Sequence, residues 1–250
     1  MFPLRHPACL LLLLSLMGCL PQKKETTLFL VGDSTMSDKP LADGNPERGW
    51  GQAFRLYLQE DYRVENHAVN GRSTRSFRSE GRWDSVMQRV QPGDYVLIQF
   101  GHNDQKSQDS TRYSAPETDY RAHLKRFVEE VRAQRGKPIL ATPIERRRFD
   151  ENGVFYGTHG AYPRVVREVA DSMAVPLLDL QQRTRELLIS YGDENSKKLF
   201  LFIQPGEYPS LPEGREDNTH LSAVGAFRVS DLAKQEIIEA VPELKEAFRE

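Results

Sequence analysis

The chain has 250 residues, with 34 lysines and arginines against 36 aspartates and glutamates, a formal net charge of -2. That balance excludes nucleic acid as the main partner, because neutralising a phosphate backbone needs a basic surplus. Its two cysteines, Cys9 and Cys19, both fall at the amino-terminal end. The domain that follows therefore has no disulfide, thiolate nucleophile or cysteine-ligated metal, and must be held by a hydrophobic core.

In chain order, Arg5 and His6 precede an apolar run from Ala8 to Met17 that stops at Gly18-Cys19. This is the pattern of a signal peptide, and the run is too short to span a bilayer. Leu16-Met17-Gly18-Cys19 resembles the bacterial lipobox, which implies cleavage before Cys19, lipidation of that residue and an exported, membrane-anchored product at the periplasmic or outer-membrane surface of a bacterial cell envelope. Residues 1–19 are then signal peptide and lipobox, 20–26 a polar tether, and 27–250 one domain. About 230 residues suit a single α/β unit.

Beyond the tether, short apolar runs alternate with longer amphipathic ones. Thr27–Val31, Arg63–Val69, Tyr95–Phe100, Pro138–Thr142 and Val175–Leu180 read as strands, the rhythm of a parallel sheet with crossover helices. Tyr120, Leu124, Phe127, Val128 and Val131 recur at helical spacing within Asp119–Gln134, and Gly136 with Pro138 marks the end. A last helix runs from Ser222, a good N-cap, to Val241 before Pro242. The expected architecture is a three-layer α/β/α sandwich with a central parallel sheet, flavodoxin-like, in which ligands sit beyond the carboxyl ends of the strands. Three long connections, 101–118, 143–162 and 202–220, reach that edge, and loops of such length are commonly functional. Phe155, Tyr156 and Tyr208 lie on them and could line a groove for sugar.

Four segments carry chemistry. The first strand ends in Gly32-Asp33-Ser34-Thr35, which leaves a serine hydroxyl at the strand exit, without the Gly-x-Ser-x-Gly elbow of an ordinary α/β-hydrolase. Asn70-Gly71-Arg72-Ser73 follows the second strand and Gly101-His102-Asn103-Asp104 the third. A glycine amide and an asparagine side chain are donors that can meet a developing oxyanion, although each segment alone also reads as a turn or cap. Asp217-Asn218-Thr219-His220 puts a carboxylate and an imidazole three residues apart before the last helix, as general-base chemistry on a serine requires. With no cysteine or paired histidine nearby, a metal site there is disfavoured.

The four segments, in this order, resemble the blocks of the SGNH, or GDSL, hydrolase superfamily. With Met36, Gly49-Trp50-Gly51, Ala68-Val69 and Phe100 they are similar to its rhamnogalacturonan acetylesterase branch, which uses Asp-Ser-Thr where the wider superfamily has Asp-Ser-Leu. The resemblance spans Thr27 to about Val241. It implies a serine esterase with Ser34, Asp217 and His220 as triad, an oxyanion hole from the amides of Ser34 and Gly71 and the side chain of Asn103, no cofactor or metal, and acetylated plant cell-wall polysaccharide as partner. Acetylated xylan is the near alternative substrate. Arg72, Arg146 and Tyr208 are candidate substrate contacts, and Trp50 and Trp83 could face sugar or pack in the core. Arg146-Arg147-Arg148 form a basic cluster that could meet galacturonate. A pectin-cleaving glycosidase would instead need a carboxylate pair, for which Glu145 with Asp150 or Glu213 with Asp217 can be drawn. A sugar-binding lipoprotein without activity would not need the complete set of triad and oxyanion residues.

Overall fold

A computed structural model describes residues 26–249. The expected signal peptide, Cys19 and most of the tether lie outside them. A five-stranded, all-parallel sheet is built from β1 (Thr26–Gly32), β2 (Tyr62–Asn66), β3 (Tyr95–Gln99), β4 (Lys137–Ala141) and β5 (Leu177–Leu178), in the order β2-β1-β3-β4-β5. Successive side chains of a strand point to opposite faces. Leu28, Leu30, Leu97, Ile139 and Ala141 accordingly enter one buried cluster, while Phe29, Val31, Val96, Ile98 and Leu140 enter the other. Both faces are covered, which is why the central strands β1, β3 and β4 are largely apolar rather than alternating, whereas β2 at the sheet edge is polar and half-buried.

The first face is covered by α1 (Trp50–Phe54), α6 (Leu180–Ser196) and α7 (Ala223–Ala240). The second is covered by α2 (Thr74–Ser79), α3 (Arg82–Met87), α4 (Arg121–Ala133) and α5 (Tyr162–Ser172). The result is the three-layer sandwich. Trp50 and Trp83 are wholly inside, and neither faces a ligand. The last helix begins as expected, with the Ser222 hydroxyl accepting the Gly225 amide at 3.1 Å. At the end of α4 it is Arg135 that takes the left-handed conformation (φ 58°). Gly136 is needed for space, since a Cβ there would lie 3.0 Å from Val131 and Val90.

Three elements differ from the sequence expectation. The second strand ends at Asn66, whose side-chain oxygen turns back to accept the Ala68 amide at 3.1 Å, although the His67 and Val69 amides still reach the carbonyls of Leu30 and Gly32. Only two residues of 175–180 pair with β4: Pro176 has no amide to give, and Asp179 caps α6. Most consequentially, the stretch 202–220 is not a plain loop. Strands β6 (Phe200–Ile203) and β7 (Arg215–Leu221) form an antiparallel hairpin that carries Asp217 and His220.

The direction in which successive strands are added reverses at β1, whose neighbours β2 and β3 lie on either side, and this is where an open α/β sheet opens a crevice. Gly49-Trp50-Gly51 fixes the floor of that crevice. The Trp50 amide donates to Thr35 O at 2.9 Å, and its indole donates to Gln99 Oε1 at 3.0 Å. A Cβ on Gly49 would sit 2.0 Å from Ser37 O, and one on Gly51 2.7 Å from Met36 O. Helix α1 can therefore lie directly against the loop that bears Ser34. Gly49→Ala should destabilise the fold by roughly 1–3 kcal/mol or more, as overpacking does. For a domain of this size the melting temperature falls by several degrees; an unchanged thermal transition by circular dichroism would show that this contact is not tight.

Candidate active site

Strand β1 delivers Asp33-Ser34-Thr35 into the crevice, and the Asp33 carbonyl accepts the amides of Met36 and Ser37 to close the turn. The Asp33 side chain points inward, wholly buried. It accepts Thr35 N at 3.0 Å, Thr35 Oγ1 at 2.9 Å and His102 Nδ1 at 3.2 Å. Burial alone would raise its pKa, but the charge and hydrogen bonds of His102 and Thr35 outweigh that and bring it down to about 2. Burial lowers the pKa of His102, which in its neutral form keeps Nδ1–H for Asp33.

Ser34 is left at the surface of the turn. Its Oγ lies 3.0 Å from His220 Nε2, and His220 Nδ1 lies 2.7 Å from Asp217 Oδ2. Two residues three apart on a regular strand would not face one another, yet here the Asp217 Oδ1 accepts the amides of Thr219 (2.8 Å) and His220 (3.0 Å) and folds the strand into a side-chain-capped turn. Burial works against the Asp217 charge, but the His220 ring and these amides more than offset it and hold the carboxyl well below the usual range. Arg147 braces the turn from behind, its amide on Asn218 O at 2.9 Å and its guanidinium on Asn218 Oδ1 at 2.8 Å.

Donors converge from the next two strand exits. Gly71 has φ 76° at the third position of a turn closed by Arg72 N on Val69 O at 3.3 Å, a conformation a side chain would strain. Asn103 Nδ2 donates to Arg72 O at 3.0 Å, which orients the amide and leaves its second hydrogen for a ligand. Among the described residues nothing accepts the backbone amides of Ser34 or Gly71. Ser34, Gly71, Asn103, Asp217 and His220 all line one open cleft of about 500 Å³. A serine beside an imidazole and a carboxylate, with three unspent N–H groups at hand, can carry out acyl transfer.

Residues 30–226 match the GDSL-like Lipase/Acylhydrolase family. The chain is 43% identical over 224 residues to the rhamnogalacturonan acetylesterase RhgT of Bacillus subtilis, covering 90% of this chain and 94% of that protein. It is 27% identical over 245 residues to a rhamnogalacturonan acetylesterase of Emericella nidulans, covering 90% of each. The crystal structure of YxiM from Bacillus subtilis superposes with a TM-score of 0.73 at 25% identity, over 86% of this chain and 57% of that longer one. This chain belongs to the GDSL family.

The acylhydrolase framework leaves the expected substrate contacts in different places. Arg146 lines the cleft, with Nη1 on Thr158 Oγ1 at 3.0 Å and Nη2 on His102 O at 3.2 Å. The basic cluster is nonetheless not one patch: Arg147 is only 7% exposed and serves Asn218 and Asp193, while Arg148 points to solvent. Three consecutive residues on an extended loop cannot share one direction. Arg72 borders a neighbouring cavity beyond Gly71 and pairs with Glu80 at 2.9 Å. Tyr208 lines a separate cavity with Phe202 and Lys198, away from Ser34. Phe155 is buried, and Tyr156 is exposed without lining the cleft.

The glycosidase pairings also come apart. Glu145 is buried under Gln181, and Asp150 caps an exposed turn through Asn152 and Val154. Asp217 is taken up by His220 and Arg215, and Glu213 does not line the cleft. Among the described residues no group of three or more His, Cys, Asp or Glu is placed to hold a metal.

Three cleft residues had no sequence signal. Lys106, Arg215 and Glu47 reach the cleft from loops or the polar strand β7, whereas His102 enters with the Gly101-His102-Asn103-Asp104 segment. The hairpin could have been found from the apolar Phe200-Leu201-Phe202-Ile203 run.

Asp104 anchors the Asn103 loop, accepting the Thr74 amide at 2.9 Å and also the Thr74 hydroxyl. Burial pushes its pKa up to about 7, against the opposing pull of the Thr74 donors. A carboxyl whose folded pKa exceeds its ordinary 3.8 binds its proton more tightly when folded. Its contribution to stability is thus present below pH 4 and is lost as pH rises towards 7. The loss is on the order of a few kcal/mol. Asp104→Asn should remove that slope, so the difference in melting temperature between parent and variant should shift in favour of the variant between about pH 4 and pH 7. A difference that is flat across this window would place the Asp104 pKa near its ordinary value.

Proposed function

We propose that this chain is a serine carboxylesterase that removes O-acetyl groups from rhamnogalacturonan. The observation that carries the reading is the Ser34 Oγ at 3.0 Å from His220 Nε2, backed by Asp217 at 2.7 Å, beside amides that have no other acceptor among the described residues. The relatives named as rhamnogalacturonan acetylesterases support the choice of polymer.

Ser34 Oγ attacks the acetyl carbonyl as its proton passes to His220 Nε2, and the carbonyl oxygen becomes an oxyanion held by the amides of Ser34 and Gly71 and by Asn103 Nδ2. Asp217 stabilises the imidazolium without taking its proton. The tetrahedral intermediate collapses as His220 returns the proton to the sugar oxygen, leaving an acetyl-enzyme. Water, deprotonated by the same imidazole, then releases acetate and restores Ser34. No step calls for a cofactor.

Ser34→Ala should abolish acetate release and labelling by an organophosphonate while the circular dichroism spectrum is kept; measurable turnover by the variant would remove Ser34 from the chemistry. Asn103→Ala should lower turnover by roughly 10² to 10³, because two backbone donors remain. Acetate released from acetylated rhamnogalacturonan at unchanged chain length distinguishes deacetylation from backbone cleavage, which would create new reducing ends.

The amino-terminal segment adds a location. Export and lipidation at Cys19 hold the enzyme at the cell envelope, where polymeric substrate is met, and residues 20–26 separate lipid from catalytic domain. Cys19→Ala should move the protein from the membrane fraction to the soluble one with kcat/KM on a small acetate ester kept. Retention of the variant in membranes would place the anchor elsewhere.

A further inference from the structure

Most charges that face the cleft are already matched. Glu47 pairs with Lys39 at 2.7 Å and lies 3.8 Å from Arg215, and Asp217 pairs with His220 and Arg215. Lys106 and Arg146 differ. Both line the same cleft as Ser34, and neither forms an ion pair among the described residues. In the adjoining cavity the arginines are neutralised, Arg72 by Glu80 and Arg112 by Asp109.

Both cations lie against the loop that presents Asn103: Lys106 belongs to it, and Arg146 reaches it from the loop after β4. The Lys106 amide donates to Asn103 O at 3.2 Å, and the Arg146 guanidinium rests on His102 O. Gln105, with its nitrogen towards His159 Nδ1, offers its oxygen to Arg146 Nη1 at 2.8 Å and holds the fork in place. The His159 ring is itself fixed by Nε2 on Ile144 O at 2.8 Å. This is a built position rather than a free surface side chain.

We propose that Lys106 and Arg146 form a carboxylate subsite that takes a uronate residue of the saccharide next to the acetylated sugar. The inference rests on the acetylesterase reading for the identity of the saccharide. A half-buried cation without a counter-ion carries a desolvation cost that an incoming anion relieves. Burial lowers the proton affinity of both groups, with the positive charges of Arg112 and Arg146 adding to it at Lys106 and that of Arg148 at Arg146. A planar guanidinium accepts a carboxylate through two parallel hydrogen bonds, and the ammonium beside it adds a point charge. An anion held there lies on the Asn103 side of Ser34, so it positions the saccharide in register with the oxyanion donors.

The test compares acetylated rhamnogalacturonan oligosaccharides with native carboxyls against the same oligosaccharides with carboxyls reduced to alcohols. The parent enzyme should favour the charged substrate by about tenfold in kcat/KM, mainly through KM, with the preference shrinking in added salt. Lys106→Gln and Arg146→Gln should each reduce the ratio of the two values, and Arg146→Lys should restore part of it. Lys106→Gln is the cleaner variant, because the Lys106 side chain makes no hydrogen bond among the described residues. Independently of any polymer, galacturonate should inhibit hydrolysis of p-nitrophenyl acetate, whereas galactose should not.

Equal kcat/KM on charged and reduced substrates would overturn the subsite and leave the acetylesterase reading standing. No acetate from either substrate, with galacturonate still competing, would overturn the polymer assignment and support the subsite. Neither release nor competition would overturn both.

Discussion

The buried carboxylate of Asp33 joins the parts of this site that arise at different places in the chain. It caps its own turn through Thr35 and reaches across to His102, which lies in the loop after β3. Ser34 and Asn103 are thus carried on two loops tied by a hydrogen bond from which water is excluded, and such bonds are strong when satisfied and costly when broken. Asp104, at the other end of the same tetrapeptide, ties the Asn103 loop to Thr74 and hence to the turn that bears Gly71. The two aspartates do no chemistry on a bound ester. They set the distances between the groups that can.

This division explains why so much of the site is legible in the sequence. Ser34 and Asn103 each sit just beyond a buried apolar strand, and Gly71 follows the half-buried β2, so the local pattern gives their position and the parallel order of the strands brings the exits to one edge. Gly49 and Gly51 are legible as a motif, but their reason, contact with the Ser34 loop at distances no Cβ tolerates, exists only in three dimensions. Strand β7 is hidden because its residues, Arg215 to His220, are polar, and its pairing with β6 comes from backbone hydrogen bonds rather than from an apolar face.

The arginine triplet shows the same limit from the other side. Adjacent like charges read as a patch, since sequence contains no side-chain direction. In space the first faces the cleft, the second is buried beneath Asn218 and the third meets solvent. The buried one has the larger structural effect, for it braces the turn between Asp217 and His220 while facing no ligand. Lys106 carries no motif at all, and it stands out because, like Arg146, it makes no ion pair among the described residues in a cleft whose other charges are matched.

The matched charges form a line of alternating sign along the cleft wall. Lys39 lies 2.5 Å from Asn70 Oδ1 and 2.7 Å from Glu47; Glu47 faces Arg215, which lies 2.7 Å from Asp217 Oδ2. One end meets the turn that presents the Gly71 amide, and the other meets the carboxylate that orients His220. At Asp217, Oδ1 accepts two amides and Oδ2 accepts His220 Nδ1 and Arg215 Nη2, which fills the four acceptor positions of a carboxylate. A carboxylate so saturated stays ionised and keeps the Nδ1 proton of a neutral His220 directed towards itself. Nε2 is then left as an acceptor facing Ser34, the protonation state from which a serine hydroxyl can be activated. Arg215 moderates the charge that Asp217 presents to the ring, and its guanidinium is shared with Glu47, 3.8 Å away on the other side.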